Sequence, residues 1–183
     1  MIPVKLSVRN FMPYRDNVPP LYFNGIHTAC ISGDNGNGKS ALIDAMTWAL
    51  WGKTRAKSDD ELIHQGQGEM EVEFDFTVGE QGYRIIRKHA KAKRRGGAGK
   101  SLLDFQIAAN GGFKSISADS ISQTQQKIIN VLHMDYAILG HQQGFEETLR
   151  PNLNILGAET PTIINRFRQN VPQNASTPSL YVD

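Results

Sequence analysis

The stretch Ile31-Ser32-Gly33-Asp34-Asn35-Gly36-Asn37-Gly38-Lys39-Ser40 restricts what this chain can fold into more than any other. Gly33, Gly38, Lys39 and Ser40 satisfy G-x-x-x-x-G-K-[ST], the P-loop pattern. Residues 27–31 before it are short and apolar enough for a buried strand, and residues 41–51 after it read as a helix. The glycines let the backbone curl so that successive N–H groups face phosphate oxygens. Those groups are also the first-turn donors of the helix, where the macrodipole favours an anion. The cradle expected from the motif is Asp34, Asn35, Gly36, Asn37, Gly38, Lys39, Ser40 and Ala41. Lys39 is expected to reach the β- and γ-phosphates, and the Ser40 hydroxyl to complete a Mg²⁺ shell. The bland alternative is a glycine-rich strand-to-helix turn with no ligand. A dinucleotide fingerprint fits badly, because Gly36-Asn37-Gly38 has Ala41 where the third glycine belongs. The pattern points to a nucleoside-triphosphate site.

Around that site, 183 residues suit one domain with a sizeable core. No apolar run approaches the roughly 18 residues of a membrane span, and no signal peptide is expected. Cys30 is the single cysteine and lies in the strand feeding the P-loop, so it reads as a small core residue. Without a disulfide, a reducing cytoplasm is the expected location. The net charge of +2 carries no argument for nucleic acid by itself, so the argument turns on where charge lies.

Along the chain, Ile2, Val4, Leu6 and Val8 alternate with polar residues and predict a half-buried strand. A turn-rich stretch leads to a short strand at 21–23, an Asn24-Gly25 turn and the P-loop strand. In the first helix Leu42, Ile43, Met46, Ala49 and Leu50 form one apolar face, and Gly52 sits at the position of a left-handed C-cap. Lys53, Arg55 and Lys57 mark an exposed basic loop. Ser58-Asp59-Asp60-Glu61 reads as a capping box opening a short turn through Ile63. Strands are expected at 69–78, 83–87, 102–108 and 113–117, joined by glycine turns into an antiparallel meander. A helix over 120–133 is expected to turn Ile121, Ile128, Val131 and Leu132 inward.

Residues 84–100 hold eight Lys/Arg and no acid. Arg84, Arg87, Lys88, Lys91, Lys93, Arg94, Arg95 and Lys100 flank a flexible Gly96-Gly97-Ala98-Gly99 tip. One reading is a hairpin arm touching the backbone of DNA; the other is a solvated loop that keeps the domain soluble. Interleaved aromatics are lacking, which argues against sequence-specific readout.

Taken together, these parts resemble the N-terminal half of a Rad50/SbcC-type, SMC-like ATPase head, with bacterial SbcC the nearer likeness. The residues that carry the resemblance are Leu6-Ser7-Val8-Arg9-Asn10-Phe11, the loop from Gly33 to Ser40, Ile43-Asp44-Ala45, and Ala49-Leu50-Trp51-Gly52 with Lys53-Thr54-Arg55. Asp59-Asp60-Glu61-Leu62-Ile63, Val72-Glu73-Phe74 and Tyr83-Arg84-Ile85-Ile86-Arg87 complete it. It covers 1–149; residues 150–183 are expected to be a divergent, loosely ordered tail. The fold implied is an α/β P-loop NTPase, the N-terminal lobe of an ABC/SMC-like head, with a mixed sheet and an antiparallel meander. The resemblance implies ATP and Mg²⁺ at the P-loop, a second head closing around two ATP molecules, and an SbcD/Mre11-like nuclease partner at DNA ends. Gln143, in Gln142-Gln143-Gly144, matches the family's Q-loop glutamine and is the implied metal and water ligand. The residue after the Asn-Phe pair, often arginine in the family, is Met12 here.

A Leu-Ser-Gly-Gly signature is missing, and no four-residue apolar run ends in Asp-Glu, so the Walker B base is missing too. Leu180-Tyr181-Val182-Asp183 is only a weak imitation. The expectation is an ATP-binding lobe acting in DNA double-strand break repair and end processing, an ATPase half-site needing parts this chain lacks. The alternative is a truncated or catalytically dead nucleotide-binding fragment. A stand-alone P-loop kinase is disfavoured, since no acceptor-site lid can be identified.

Overall fold

The computed structural model describes residues 1–26, 28–32, 38–92, 97–134, 136, 154–155 and 179–182. In chain order the elements are β1 (Ile2–Arg9), β2 (Leu21–Tyr22), β3 (Thr28–Ser32), α1 (Lys39–Trp51) and a 3₁₀ turn (Asp59–Leu62). They are followed by β4 (Glu69–Val78), β5 (Gln81–Ala90), β6 (Lys100–Ala109), β7 (Gly112–Ser115), α2 (Ile121–Leu132), β8 (Asn154–Ile155) and β9 (Ser179–Val182). Six strands form one antiparallel sheet in the order β2-β1-β4-β5-β6-β7. The P-loop strand β3 is the centre of a second, mixed sheet, parallel to β8 and antiparallel to β9. The expected meander and mixed sheet are both present.

Period-2 patterning builds the large sheet. Met70, Val72, Phe74 and Phe76 of β4 are buried, and Ile85 and Phe105 continue the same face across β5 and β6. Phe74, Phe76, Tyr83 and Phe105 stack in series, with centroids 5.5 to 5.8 Å apart. Each such side chain removed from water contributes about 2–3 kcal/mol. The opposite face is polar, with strands of alternating sign. Lys5 and Arg9 of β1 pair with Glu69, Glu71 and Glu73 of β4, and Glu71 and Glu73 in turn meet Lys88 and Arg84 of β5. Two-residue turns close the β4–β5 and β6–β7 hairpins, and Asn110 and Gly111 both adopt positive φ (51° and 76°), as a type I′ turn requires.

Several expectations are corrected. In β1, Pro3 pairs with Phe76 and Lys5 with Asp75, so Val4 is an extra residue at a bulge. The bulge shifts the phase: Pro3 is buried while Ile2 is 53% exposed, the reverse of the simple alternation. Helix α1 is not one-faced. Asp44, Thr47 and Trp48 are buried along with the apolar residues, and Ile43 is only half-buried. Contact with β4, β5 and α2 explains this, because the helix is enclosed on several sides. Ser58 is an N-cap without a side-chain cap bond, and the Glu61 carboxylate accepts from the N–H of Lys57 instead, at 3.1 Å. In α2, Ile121 is 43% exposed, and Thr124 takes the inward place in line with Ile128 and Leu132. Its Ser120 does cap the helix, accepting from the N–H of Gln123 at 3.2 Å.

Of residues 150–183, the structure describes only β8 and β9. Among the described residues, no helix is long and apolar enough to cross a membrane.

Candidate nucleotide site at the start of α1

Of the sequence-predicted cradle, Gly38, Lys39, Ser40 and Ala41 are described; Asp34, Asn35, Gly36 and Asn37 lie outside the described residues, as does Gln143. Gly38 stands at the N-cap of α1 with φ 84° and ψ 7°, a left-handed conformation. It supplies no side chain to cap the first turn, and no acidic residue lies in that turn. A Cβ added at Gly38 would sit 2.7 Å from Pro13 Cγ and 3.0 Å from Tyr14 Oη, so only glycine fits. Lys39 and Ser40 follow at once, with the Ser40 side chain exposed. A glycine-built first turn free of carboxylates suits a polyphosphate. Lys39 and Ser40 are the residues that could hold phosphate and Mg²⁺ there.

The segment after β1 supports that turn from behind. Tyr14 is 4% exposed, and its hydroxyl donates to the Gly38 carbonyl at 3.0 Å. Burial pushes the Tyr14 phenol up to about 12, so it stays a neutral donor. Phe11 packs on Trp48 of α1, centroids 5.9 Å apart.

The far end of α1 is closed by β5. Gly52, with φ 65°, donates its N–H to the Trp48 carbonyl at 2.8 Å. The buried Arg87 donates to the Ala49 carbonyl through Nε (3.3 Å) and Nη2 (3.1 Å), and Nη2 also reaches Gln125 Oε1 at 2.6 Å. Gln125 Nε2 then donates to the Leu50 carbonyl at 2.8 Å. Burial lowers the Arg87 guanidinium to about 10, with the Asp59 charge acting the other way. A cation against the carbonyl end of a helix meets the negative pole of its dipole. Sequence reading missed this role, although Arg87 falls in phase with the inward residues Tyr83 and Ile85, and that period is the signal that could have found it.

The same structure thins the basic run. Arg84 forms a two-point ion pair with Asp75 (both bonds 2.7 Å), Lys88 pairs with Glu71 at 3.0 Å, and Arg87 is buried. Lys91 and Lys100 are exposed; Lys93, Arg94 and Arg95 lie outside the described residues. His89 ties the root of the arm down, with Nε2 2.7 Å from Asp60 and Nδ1 2.8 Å from Ser101 Oγ. In the basic loop Lys53, Arg55 and Lys57 are exposed as expected, and Arg55 clasps the buried Asp44 at 2.6 and 3.2 Å.

The weak Walker B imitation runs the wrong way. Ser179 of β9 stands opposite Ser32 and Val182 opposite Ala29. The carboxyl end of β9 therefore points away from the end of β3 that enters the P-loop.

Residues 5–176 match the model of a family described as an AAA domain, and the chain belongs to that family. Within it, the curated relatives are ATPases of the SbcC and Rad50 kind. The chain is 32% identical over 139 residues to the SbcC component of the SbcCD nuclease of Deinococcus radiodurans, covering 74% of this chain and 15% of that protein. It is 34% identical over 137 residues to the DNA double-strand break repair Rad50 ATPase of Thermoplasma volcanium, covering 74% and 14%. The chain thus matches about one seventh of the length of these relatives. Among solved structures, an SMC head bound to the C-winged helix domain of ScpA superposes with TM-score 0.51 at 23% identity, over 73% of this chain and 40% of that one. A chain solved in work on ATP-driven dimerization and DNA-stimulated activation of SMC ATPases gives 0.52 at 22% identity, over 94% and 93%. Those two likenesses show the fold, the lobe of an SMC-type ATPase head, as the sequence resemblance implied.

Proposed function

We propose that this chain is the ATP-binding lobe of an SbcC/Rad50-like ATPase that acts in DNA double-strand break repair and end processing in the cytoplasm. The observation that carries the proposal is Gly38, held left-handed and against Pro13 and Tyr14 at the carboxylate-free start of α1. Residues 34–41 wrap the phosphates, Lys39 pairs with their charge, and Ser40 with Gln143 holds Mg²⁺. The metal, when bound, neutralises phosphate charge and orients the terminal group. This chain's own contribution is binding and orientation. A signature motif, a Walker B base and a second head come from outside these residues, and an SbcD/Mre11-like nuclease works beside them. Positioning by several such parts together is what gives phosphoryl transfer its rate. The chain therefore binds ATP and by itself turns it over barely above background. Calorimetric titration with ATP, with and without Mg²⁺, tests the reading. Absence of binding refutes it, and steady turnover of about 1 s⁻¹ from the chain alone refutes the division of labour.

The arm is proposed to touch duplex DNA through its backbone. With Arg84, Arg87 and Lys88 engaged in the sheet, the contact falls to Lys91, Lys93, Arg94, Arg95 and Lys100, of which the first four lead into the glycine tip and are taken as the ones that neutralise phosphate. Four neutralised phosphates give a log–log salt slope of about −3.6. Replacing the four by Ser flattens that slope in fluorescence anisotropy on two unrelated duplexes; an unchanged slope returns the arm to a solvated hairpin.

A further inference from the structure

Immediately after β1 the chain does something costly. Asn10 and Met12 both adopt left-handed φ, at 53° and 48°, although neither is glycine. Side chains there clash with the following carbonyl, and such residues persist only where their surroundings hold them. The surroundings are dense. Met12 N–H donates to the Leu62 carbonyl (2.7 Å), His64 N–H to the Asn10 carbonyl (2.8 Å) and Tyr14 N–H to the Phe11 carbonyl (2.8 Å). The His64 ring places Nδ1 2.7 Å from the Met12 carbonyl. Phe11 is wholly buried beneath. The effort delivers two groups to one point: the Pro13 ring and the Tyr14 hydroxyl, both against Gly38.

We infer that Tyr14 is a positioning residue for phosphate recognition, fixing the Gly38–Lys39 peptide so that its N–H faces the anion. The reasoning is geometric. A trans peptide is planar, and its C=O and N–H point in opposite directions. The Gly38 carbonyl accepts from Tyr14 Oη at 3.0 Å, from Ala41 N–H at 2.8 Å and from Leu42 N–H at 3.3 Å. Three donors on one side set the direction of the carbonyl, and the Lys39 N–H is thereby directed out of the helix start. The other two donors belong to α1 itself; Tyr14 is the one tied to a separate, strained and braced segment. It links the plane of that peptide to the body of the domain. The inference rests on the reading of the P-loop as a polyphosphate site.

The experiment uses the whole chain, with inorganic tripolyphosphate and ATP as probes in parallel calorimetric titrations. Tyr14→Phe keeps the ring and leaves the Gly38 carbonyl two donors, so the fold is retained. Both affinities are expected to fall together by roughly three- to tenfold, the worth of one neutral hydrogen bond. The ligand-free unfolding temperature is expected to stay within about 2 °C, a readout that separates positioning from plain stability. Equal affinities for Tyr14→Phe and parent, with the parent binding both probes, overturn the role of Tyr14 and leave the P-loop reading standing. A parent that binds neither probe overturns the P-loop reading, and the role of Tyr14 with it. A second variant carries a fluorotyrosine in place of Tyr14, a stronger donor of nearly the same shape. It is expected to tighten tripolyphosphate binding at neutral pH, and unchanged affinity there also overturns the inference.

Discussion

At its carboxyl end α1 is completed from within the chain: Gly52 closes on Trp48, Arg87 on Ala49 and Gln125 on Leu50. Its amino end is finished differently. Gly38 brings no capping side chain, the first turn holds no acid, and Pro13 and Tyr14 press the backbone into shape from behind. The helix carries no basic residue in its own last turn either, so the cation at its negative pole is borrowed from β5. One pole of the dipole is thus met by a cation inside the protein, and the other is the one proposed above to take an anion. The lesson is that the two glycines bounding α1, both left-handed, serve opposite ends: one seals the helix and one presents it.

If the ends differ in this way, substitutions at them separate ligand binding from stability. The largest effect is expected at Lys39→Ala, which removes a charge-assisted contact and weakens ATP binding by about a hundredfold or more. Equal ATP affinity by calorimetry would sink the assignment of the amino end. Arg87→Met is the mirror case. It leaves the Ala49 carbonyl and Gln125 Oε1 without their Arg87 donor, at a cost of about 3 kcal/mol in urea unfolding. Molecules still folded should bind ATP within about threefold of the parent; a much larger loss would merge the two ends. Gly52→Ala is a smaller probe of the sealed end. Its Cβ would meet Arg87 Nη1 at 2.9 Å in a left-handed backbone, and about 1–2 kcal/mol of destabilisation is expected from thermal melts.

The smallest effect is a pH slope at the presenting end. Tyr14 titrates at about 12 in the folded chain, above its ordinary value of 10.0. The proton is held more tightly in the native state, so this stabilisation is complete below pH 10 and is lost as pH rises toward 12. By pH 11 the loss is about 1 kcal/mol relative to neutral pH. Urea unfolding of Tyr14→Phe over the same range should lack that part of the decline. Identical slopes in variant and parent would show that the Tyr14 phenol does not respond to its burial.

Much of this was readable because it is local. The P-loop pattern, the Gly52 cap and the alternation of Met70, Val72, Phe74 and Phe76 each depend on residues within one or two turns of one another. The SMC-type lobe followed from their order. What escaped depends on distance. Arg87 looked like one more cation in a basic run, because nothing near it in sequence shows that β5 lies across the end of α1, 38 residues away in the chain. Tyr14 meets Gly38 across 24 residues. The bulge at Pro3 and Val4 is invisible to a period-2 count, since the count assumes the pairing that the bulge breaks. The pairing of β9 with β3 depends on contacts between opposite ends of the sequence, and its direction cannot be read from the composition of either strand.

The outer face of the large sheet has a consequence for how such a sequence can change over time. Its charges are arranged by strand: positive on β1, negative on β4, positive on β5. Glu71 answers to both Arg9 and Lys88, and Glu73 to both Lys5 and Arg84. A single reversal at Glu71 or Glu73 therefore sets like charges against two neighbours at once, which favours rejection of the change before a compensating one can arise. The same holds for Arg9, which faces Glu69 and Glu71, and for Arg84, which faces Glu73 and Asp75, whereas Lys5 and Lys88 each face one carboxylate. Among descendants of this chain the doubly paired positions Arg9, Glu71, Glu73 and Arg84 should be the slow ones, and Lys5 and Lys88 should drift around them.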